Sequence, residues 1–361
     1  MSGGPPLLLH GSRRQPGRIG RRYRSLMTTV EAVVDAAAAT SDFNGVVRVD
    51  RGTEPEWVKA YGLADRSHGI SMTPDSQLAI ASGSKTFTAL AVMSLVQDGR
   101  LALSTTARSV LGQDLPLVAD DVTVEHLLSM RSGIGDYLDE DLPTTDADYL
   151  MPVSVHLLAT TEQYLPVLDG HPTKFRAGER FSYCNGGFVV LALIAERVSG
   201  VSFHELVRQR VLEPAAMSDT AFLRSDELPS RAARGYVQID GRWRTNVFHL
   251  PVIGNGDGGI YTTARDISRF WEALFQGRIV SPPTLADMLT ARGPSDPPAA
   301  ATYCLGFWLD STTGSAALRG SDAGVSFRSV HNERAQLTYT VMGNTSDGDW
   351  PVLGALADHF A

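Results

Sequence analysis

Ala81-Ser82-Gly83-Ser84-Lys85-Thr86-Phe87-Thr88, continued by Ala89-Leu90-Ala91-Val92-Met93-Ser94-Leu95-Val96-Gln97, is the stretch from which the rest of the chain is best read. Almost every residue from Ser84 to Gln97 is apolar or small, and Gly99 stands where a C-terminal cap belongs. A helix that is apolar on all sides is a buried one. Ser82 and Lys85, three residues apart at its start, share a helical face, so the lysine amine falls beside the serine hydroxyl. An N-cap serine followed by a chance lysine would spell the same letters. Yet a cation is disfavoured at a helix N-terminus, and an interior charge without a partner is costly. The pair is therefore a candidate nucleophile with its activating amine.

On either side of this helix the pattern changes. A first helix is expected from Thr28 to Ala39, then strands over Phe43–Val49 and Trp57–Gly62 about a turn at Gly52. The middle reads as helices and loops: Val124–Met130, Ser154–Thr160, Phe188–Ser199, Phe203–Val211, Ala264–Leu274 and Pro283–Ala291. Strand character returns at Gly306–Asp310, Ala317–Arg319, Ser326–Val330 and Leu337–Met342, before a last helix over Val352–Phe360. Strands near both ends with helices between them predict an α/β architecture, one sheet built from both chain ends around a helical insertion. The expected division is a sheet part over about 28–98 and 303–361 and a helical part over about 99–302.

Composition excludes several function classes. The 361 residues are 43% hydrophobic and 20% charged, ordinary for a globular protein that needs no staple or metal to fold. The net charge of −8, with no basic block after the N-terminal segment, argues against nucleic acid as a partner. Two cysteines, Cys184 and Cys304, make no disulfide framework and read as reduced. No apolar run reaches the roughly 20 residues of a membrane span. Residues 1–27 carry Arg13, Arg14, Arg18, Arg21, Arg22 and Arg24 without an acid and read as a disordered tail. Leu7-Leu8-Leu9 precedes these arginines and is too short for a secretory signal, which points to the cytoplasm, with export to the periplasm or beyond as the alternative.

Other patterns resolve against cofactors. Gly254-Asn255-Gly256-Asp257-Gly258-Gly259 fits Gly-x-Gly-x-x-Gly, but no helix follows directly and no acid stands about 20 residues on, so a glycine-rich loop near the active site is the better reading. His204-Glu205 lacks the second histidine of a zinc-protease helix, because Arg208 holds that position, and no metal site is expected. There is no Gly-x-Ser-x-Gly elbow. The acids Asp136, Asp139, Glu140, Asp141, Asp146 and Asp148 read as a solvated loop, Cys184 as a small core side chain, and His126 as structural.

Two more segments acquire meaning beside Ser82 and Lys85: Phe181-Ser182-Tyr183-Cys184-Asn185-Gly186-Gly187, and Leu318-Arg319-Gly320-Ser321. With Thr123-Val124-Glu125-His126-Leu127-Leu128-Ser129-Met130-Arg131-Ser132-Gly133, Gly258-Gly259-Ile260-Tyr261-Thr262-Thr263-Ala264-Arg265-Asp266 and Leu305-Gly306-Phe307, they occur in an order that resembles one family. It is the class C β-lactamase group, which includes low-molecular-weight penicillin-binding proteins, D-stereospecific peptidases and β-lactamase-fold esterases. The resemblance runs from about Phe43 to the C-terminus and implies the β-lactamase/transpeptidase-like fold.

What it implies for chemistry is a serine hydrolase without metal or organic cofactor. Ser82 would be acylated, Lys85 and Tyr183 would share its proton, and Asn185 would bind the substrate's acyl side or hold Lys85. The backbone N–H groups of Ser82 and Ser321 would form the oxyanion hole. Which of Lys85 and Tyr183 is the base stays open, since the two titrate together. In one place the chain departs from the family: the third motif usually begins with lysine or histidine, and Leu318 stands there. Leucine cannot attract a carboxylate, and Arg319, the substitute substrate-binding residue, points to the other face of a strand. Met130 also replaces a usual histidine, which reads as packing. A small neutral ester or amide is thus the expected substrate, ahead of a β-lactam or D-peptide. A non-catalytic ligand binder and an acyltransferase are the rivals.

Overall fold

The computed structural model describes residues 29–142, 151–293 and 301–360. The N-terminal arginines, Asp146 and Asp148 lie outside these residues.

A seven-stranded antiparallel sheet runs in the order Ala301–Tyr303, Trp308–Asp310, Ala316–Asp322, Val325–Asn332, Leu337–Gly343, Gly45–Arg51, Glu54–Tyr61. The two chain ends meet where Gly45–Arg51 pairs with Leu337–Gly343, Val47 opposite Val341. Alternation decides which faces are covered. Val47, Val49, Leu337 and Val341 join the helices Val30–Ser41 and Asp349–Phe360 in one apolar cluster. Val46, Leu318, Phe327 and Met342 face the opposite way and merge with the main core. The expected α/β fold, with a sheet from both chain ends, is what the chain adopts.

The Ser84–Gln97 helix lies at the centre of that core, buried from Ser84 to Leu95. It packs on Asn185–Ser199, itself buried from Asn185 to Ala195. Its polar side chains are turned to account: Thr86 Oγ1 donates to the Gly306 carbonyl at 2.6 Å and Thr88 Oγ1 to the Gly256 carbonyl at 2.6 Å. Ser84 Oγ accepts from the Ile260 N–H at 3.1 Å. Hydroxyls in a dry core need such partners, and here they fasten the helix to the glycine-rich loop and to the start of the C-terminal sheet.

Some elements differ from expectation. The helix begins at Ser84, not Ser82; Ala81–Gly83 is a separate 3₁₀ turn. Ser154–Thr160 reduces to the single turn Val155–Leu157, because Thr160 starts a new element by capping Thr161–Tyr164. A hairpin, Tyr236–Ile239 with Arg242–Thr245, was not expected. Its signal is Asp240-Gly241, both at positive φ (51° and 71°), the pair that a tight two-residue hairpin demands.

One glycine is fixed by a close approach. A Cβ on Gly320 would lie 2.0 Å from the Ile80 carbonyl oxygen and 2.9 Å from the Gly83 nitrogen. Both are backbone atoms of the turn that carries Ser82, so neither can swing aside. Gly320→Ala is expected to lose about 3 kcal/mol of stability through overpacking. Urea unfolding measures it; an unchanged midpoint would contradict the close contact.

Candidate active site

Ser82 occupies a turn held on both sides. Gly83 N–H donates to the Ile80 carbonyl at 2.8 Å, and Ile80 N–H to the Ile260 carbonyl at 3.0 Å. Just before the serine, Ala81 takes φ +44°, a left-handed conformation that a residue with a Cβ adopts at a cost. The strain re-aims the chain so that the serine side chain enters a cleft while the next residues start the buried helix.

Lys85 follows at the predicted one-turn offset. Its Nζ donates to Ser82 Oγ, Asn185 Oδ1 and the Asp257 carbonyl, each at 2.8 Å. An ammonium has three protons, and three acceptors meet them. The side chain is 2% exposed. Burial holds its pKa below the ordinary lysine value, against the opposing fields of Asp257, Glu140, Asp136 and Asp322.

Tyr183 arrives from the extended segment before the Asn185–Ser199 helix. Lys85 Nζ sits 5.0 Å from the centre of its ring. Burial first, then the charge of Glu140, pushes the phenol well above its ordinary value. The alcohol, amine, phenol and amide named from sequence are thus brought together. The glycine-rich loop reaches the same place, through Asp257. Ser321 also lines the cleft, its Oγ donating to the Ser346 carbonyl at 3.2 Å.

Arg319 is the exception. The Leu318 side chain is buried in the core. Arg319 alternates to the other face, where its guanidinium lies 4.7 Å over the Trp308 ring. It is not among the described residues that line the cleft, so it does not supply the cation that Leu318 lacks. The cleft, about 930 Å³ with its open mouth, has an apolar wall that includes Leu138, Met151, Leu223, Leu250 and Val325. Its charged lining residues are Glu140, Asp257 and Asp322; among the described residues it has no arginine or lysine on that lining.

The acidic loop requires correction. Asp136 is buried, 8% exposed, and accepts from the N–H groups of Asn185 at 2.5 Å and Gly186 at 2.8 Å. Those donors have no partner within their own helix, and a carboxylate is what their dipole favours. Tyr137 donates its hydroxyl to the Asp257 carboxylate. Glu140 accepts from Asn185 Nδ2 at 3.0 Å. Asp139 and Asp141 hold Lys174, each at 2.8 Å, nearer to the solvated reading. Charge pattern in sequence hides this, because the partners, Asn185 and Gly186, lie 45 to 50 residues away. The readings of Cys184 and His126 fare better. Cys184 is a buried N-cap whose Sγ accepts from Gly187 N–H at 3.3 Å, and Met130 Sδ accepts from Cys184 N–H at 3.3 Å. His126 forms a capping box with Thr123. Both cysteines are free and buried. Among the described residues there is no cluster of His, Cys, Asp or Glu placed to hold a metal, and no single helix is long and apolar enough to cross a membrane.

The chain is similar to known proteins along most of its length. The family model described as Beta-lactamase matches residues 30–357. Esterase EstB of Burkholderia gladioli is 30% identical over 293 residues, covering 73% of this chain and 74% of EstB. Penicillin-binding protein 4* of Bacillus subtilis is 27% identical, covering 70% of this chain but 56% of that protein's length, so the chain spans little more than half of it. The crystal structure of a penicillin-binding protein from Bacillus halodurans superposes with a TM-score of 0.84 at 32% identity, covering 90% of this chain and 99% of that one.

The burial of Asp136 has a consequence for stability. Burial raises its pKa from 3.8 to about 6, despite the N–H groups that favour its charge. The native state then holds a proton that the unfolded state has released, so this group's contribution is full below pH 3.8 and is lost as pH rises through 6. Relative to Asp136→Asn, which does not titrate, the wild type is expected to lose about 2 kcal/mol between pH 4 and 7. Urea unfolding across that range checks it; a gap that widens in favour of wild type with rising pH would contradict the raised value.

Proposed function

The chain belongs to the beta-lactamase family, and from that membership we propose that it is a serine hydrolase that cleaves a small neutral ester or amide through an acyl-Ser82 intermediate. The observation that carries this reading is the 2.8 Å separation of the buried Lys85 Nζ from Ser82 Oγ, across which a neutral amine accepts the hydroxyl proton.

A serine hydroxyl is a weak nucleophile until a base accepts its proton as the new bond forms. A lysine acting as that base near pH 7 must titrate about 3 units below its usual 10.4, about 4 kcal/mol of differential stabilisation. The burial of Lys85 works in that direction, while the buried phenol of Tyr183 keeps its proton. We therefore assign the base to Lys85 and the passage of the proton toward the leaving group to Tyr183. Ser82 Oγ attacks the substrate carbonyl, and its proton passes to the Lys85 amine. The oxyanion is held by the backbone N–H groups of Ser82 and Ser321. Collapse expels an alcohol or amine that takes the proton, and water then cleaves the acyl-enzyme by the same route, restoring the Ser82 hydroxyl.

The lining of the cleft supports the choice of substrate. Glu140, Asp257 and Asp322 repel a carboxylate, and the core-facing Leu318 offers it no counter-charge. Oxyanion donors that belong to the backbone are unaffected by Leu318. EstB, an esterase by name, is consistent with this preference. A second reading, acylation by a β-lactam, is favoured by the likeness to the Bacillus halodurans penicillin-binding protein.

Ser82→Ala is expected to abolish turnover of p-nitrophenyl esters, at least a 10³-fold loss, with the fold intact by circular dichroism. In the wild type a fluorophosphonate probe should add to Ser82, seen by peptide mass spectrometry. Esters should be turned over faster than nitrocefin or D-amino-acid amides. Faster nitrocefin cleavage would transfer the assignment to the β-lactam reading. No adduct with any acylating agent would favour a non-catalytic binder, and product formed with an added alcohol in place of water would indicate acyl transfer.

A further inference from the structure

Both N–H donors of the Asn185 amide are occupied within the protein, and its oxygen serves Lys85. Its Oδ1 accepts from Lys85 Nζ at 2.8 Å; its Nδ2 donates to the Leu138 carbonyl at 3.1 Å and to Glu140 Oε1 at 3.0 Å. A primary amide has two N–H donors, so none is left over for a ligand in the cleft. The backbone of the same residue is fixed from the same segment, through the Asn185 N–H to Asp136. Leu138 contributes a main-chain carbonyl and cannot be varied by substitution. Glu140 contributes a side chain, on an exposed residue at the cleft lining.

We infer that Glu140 is a positioning residue: by accepting from Asn185 Nδ2 it fixes the amide with its oxygen on Lys85 and withholds the amide's donors from the substrate. Asn185 then serves the lysine and not the acyl group. A half-turn of the amide would set its NH2 against the donors of Lys85 and its oxygen against two acceptors, Glu140 and the Leu138 carbonyl. Without Glu140 the Nδ2 side of the amide is held by the Leu138 carbonyl at 3.1 Å alone, and the Lys85 contact is left as the other restraint on that rotation. The amine would then keep two acceptors, Ser82 Oγ and the Asp257 carbonyl.

Charge adds a separable effect. The charged or titratable groups facing Lys85 are Glu140 and Asp136 from one segment, Asp257 from the glycine-rich loop, Asp322 from the Ala316–Asp322 strand, and the Tyr183 phenol. Each carboxylate favours the charged amine. Glu140, being exposed, acts through solvent and is screened by salt. Its hydrogen bond to Asn185 is not screened in this way.

The inference rests on the hydrolase reading, and the experiment separates the two. Glu140→Ala and Glu140→Gln of the full chain are compared with wild type on a p-nitrophenyl ester across pH 5–10, with fluorophosphonate labelling of wild-type Ser82 as a parallel arm. Glu140→Ala is expected to lower kcat about 10- to 100-fold through misplacement of the amine, with a much smaller change in KM. Glu140→Gln keeps an acceptor oxygen and should recover most of kcat. In both variants the acid limb of kcat/KM should move to lower pH, because a carboxylate that favoured the charged amine is gone.

Wild-type kcat and an unmoved acid limb in Glu140→Ala would overturn the inference, as would a Glu140→Gln variant as impaired as the alanine. If Glu140→Ala does not fold, recovery and the limb shift in Glu140→Gln decide. If wild-type Ser82 takes no label, the hydrolase reading fails by itself. The positioning is then judged from the crystal structure of Glu140→Ala: an Asn185–Lys85 contact lengthened beyond 3.5 Å supports it, and one unchanged from 2.8 Å overturns it.

Discussion

A primary amine taken out of water is the constraint around which this protein is organised. An ammonium in a dry interior is expensive unless its protons are met, and neutralisation is the alternative open to it. Lys85 is given three acceptors, from a turn, a helix start and a loop far apart in sequence. Four carboxylates around it favour the charged form while burial opposes it. Burial prevails, so the amine's pKa lies below its ordinary value, and a hydroxyl is one of its partners. An amine so shifted beside an alcohol is what activation of a serine requires.

The framework follows from holding those three acceptors still. The Ser84–Gln97 helix is apolar on all sides because it must lie inside, and its few hydroxyls tie it to the loop that supplies the Asp257 carbonyl. Gly320 lets the Ala316–Asp322 strand approach the Ser82 turn to within backbone contact. The strained Ala81 is bracketed by hydrogen bonds at Ile80 and Gly83. The Asn185–Ser199 helix presents its first residue to the lysine because a buried carboxylate, Asp136, holds its first two N–H groups.

Much of this was legible in the sequence, for a definite reason. Ser82 and Lys85 are related by one helical turn, and helical periodicity is the strongest signal in a chain. The sheet from both ends could be read because its strands alternate in the ordinary way. Tyr183, Asn185 and Ser321 were legible only as members of an ordered set of motifs, since nothing local marks a tyrosine in an extended segment. What escaped was tertiary. Asp136 looked like a surface acid because its partners are 49 and 50 residues further on, and for the exposed Glu140 only the contact with Asn185, 45 residues on, escaped. The helix boundary at Ser82 was missed because a 3₁₀ turn and a helix start share the same local preferences. Asp240-Gly241 was a legible hairpin signal that went unread.

The state of the lysine is open to direct observation. Selectively labelled lysine, with its side-chain NMR signals followed against pH and Lys85 assigned by its loss in Lys85→Arg, reports the titration of this amine in the folded protein. The account predicts a midpoint clearly below the ordinary lysine value of about 10.4. A Lys85 signal that titrates at that ordinary value would mean a solvated amine, and the reading of this cleft as an activated-serine site would not stand.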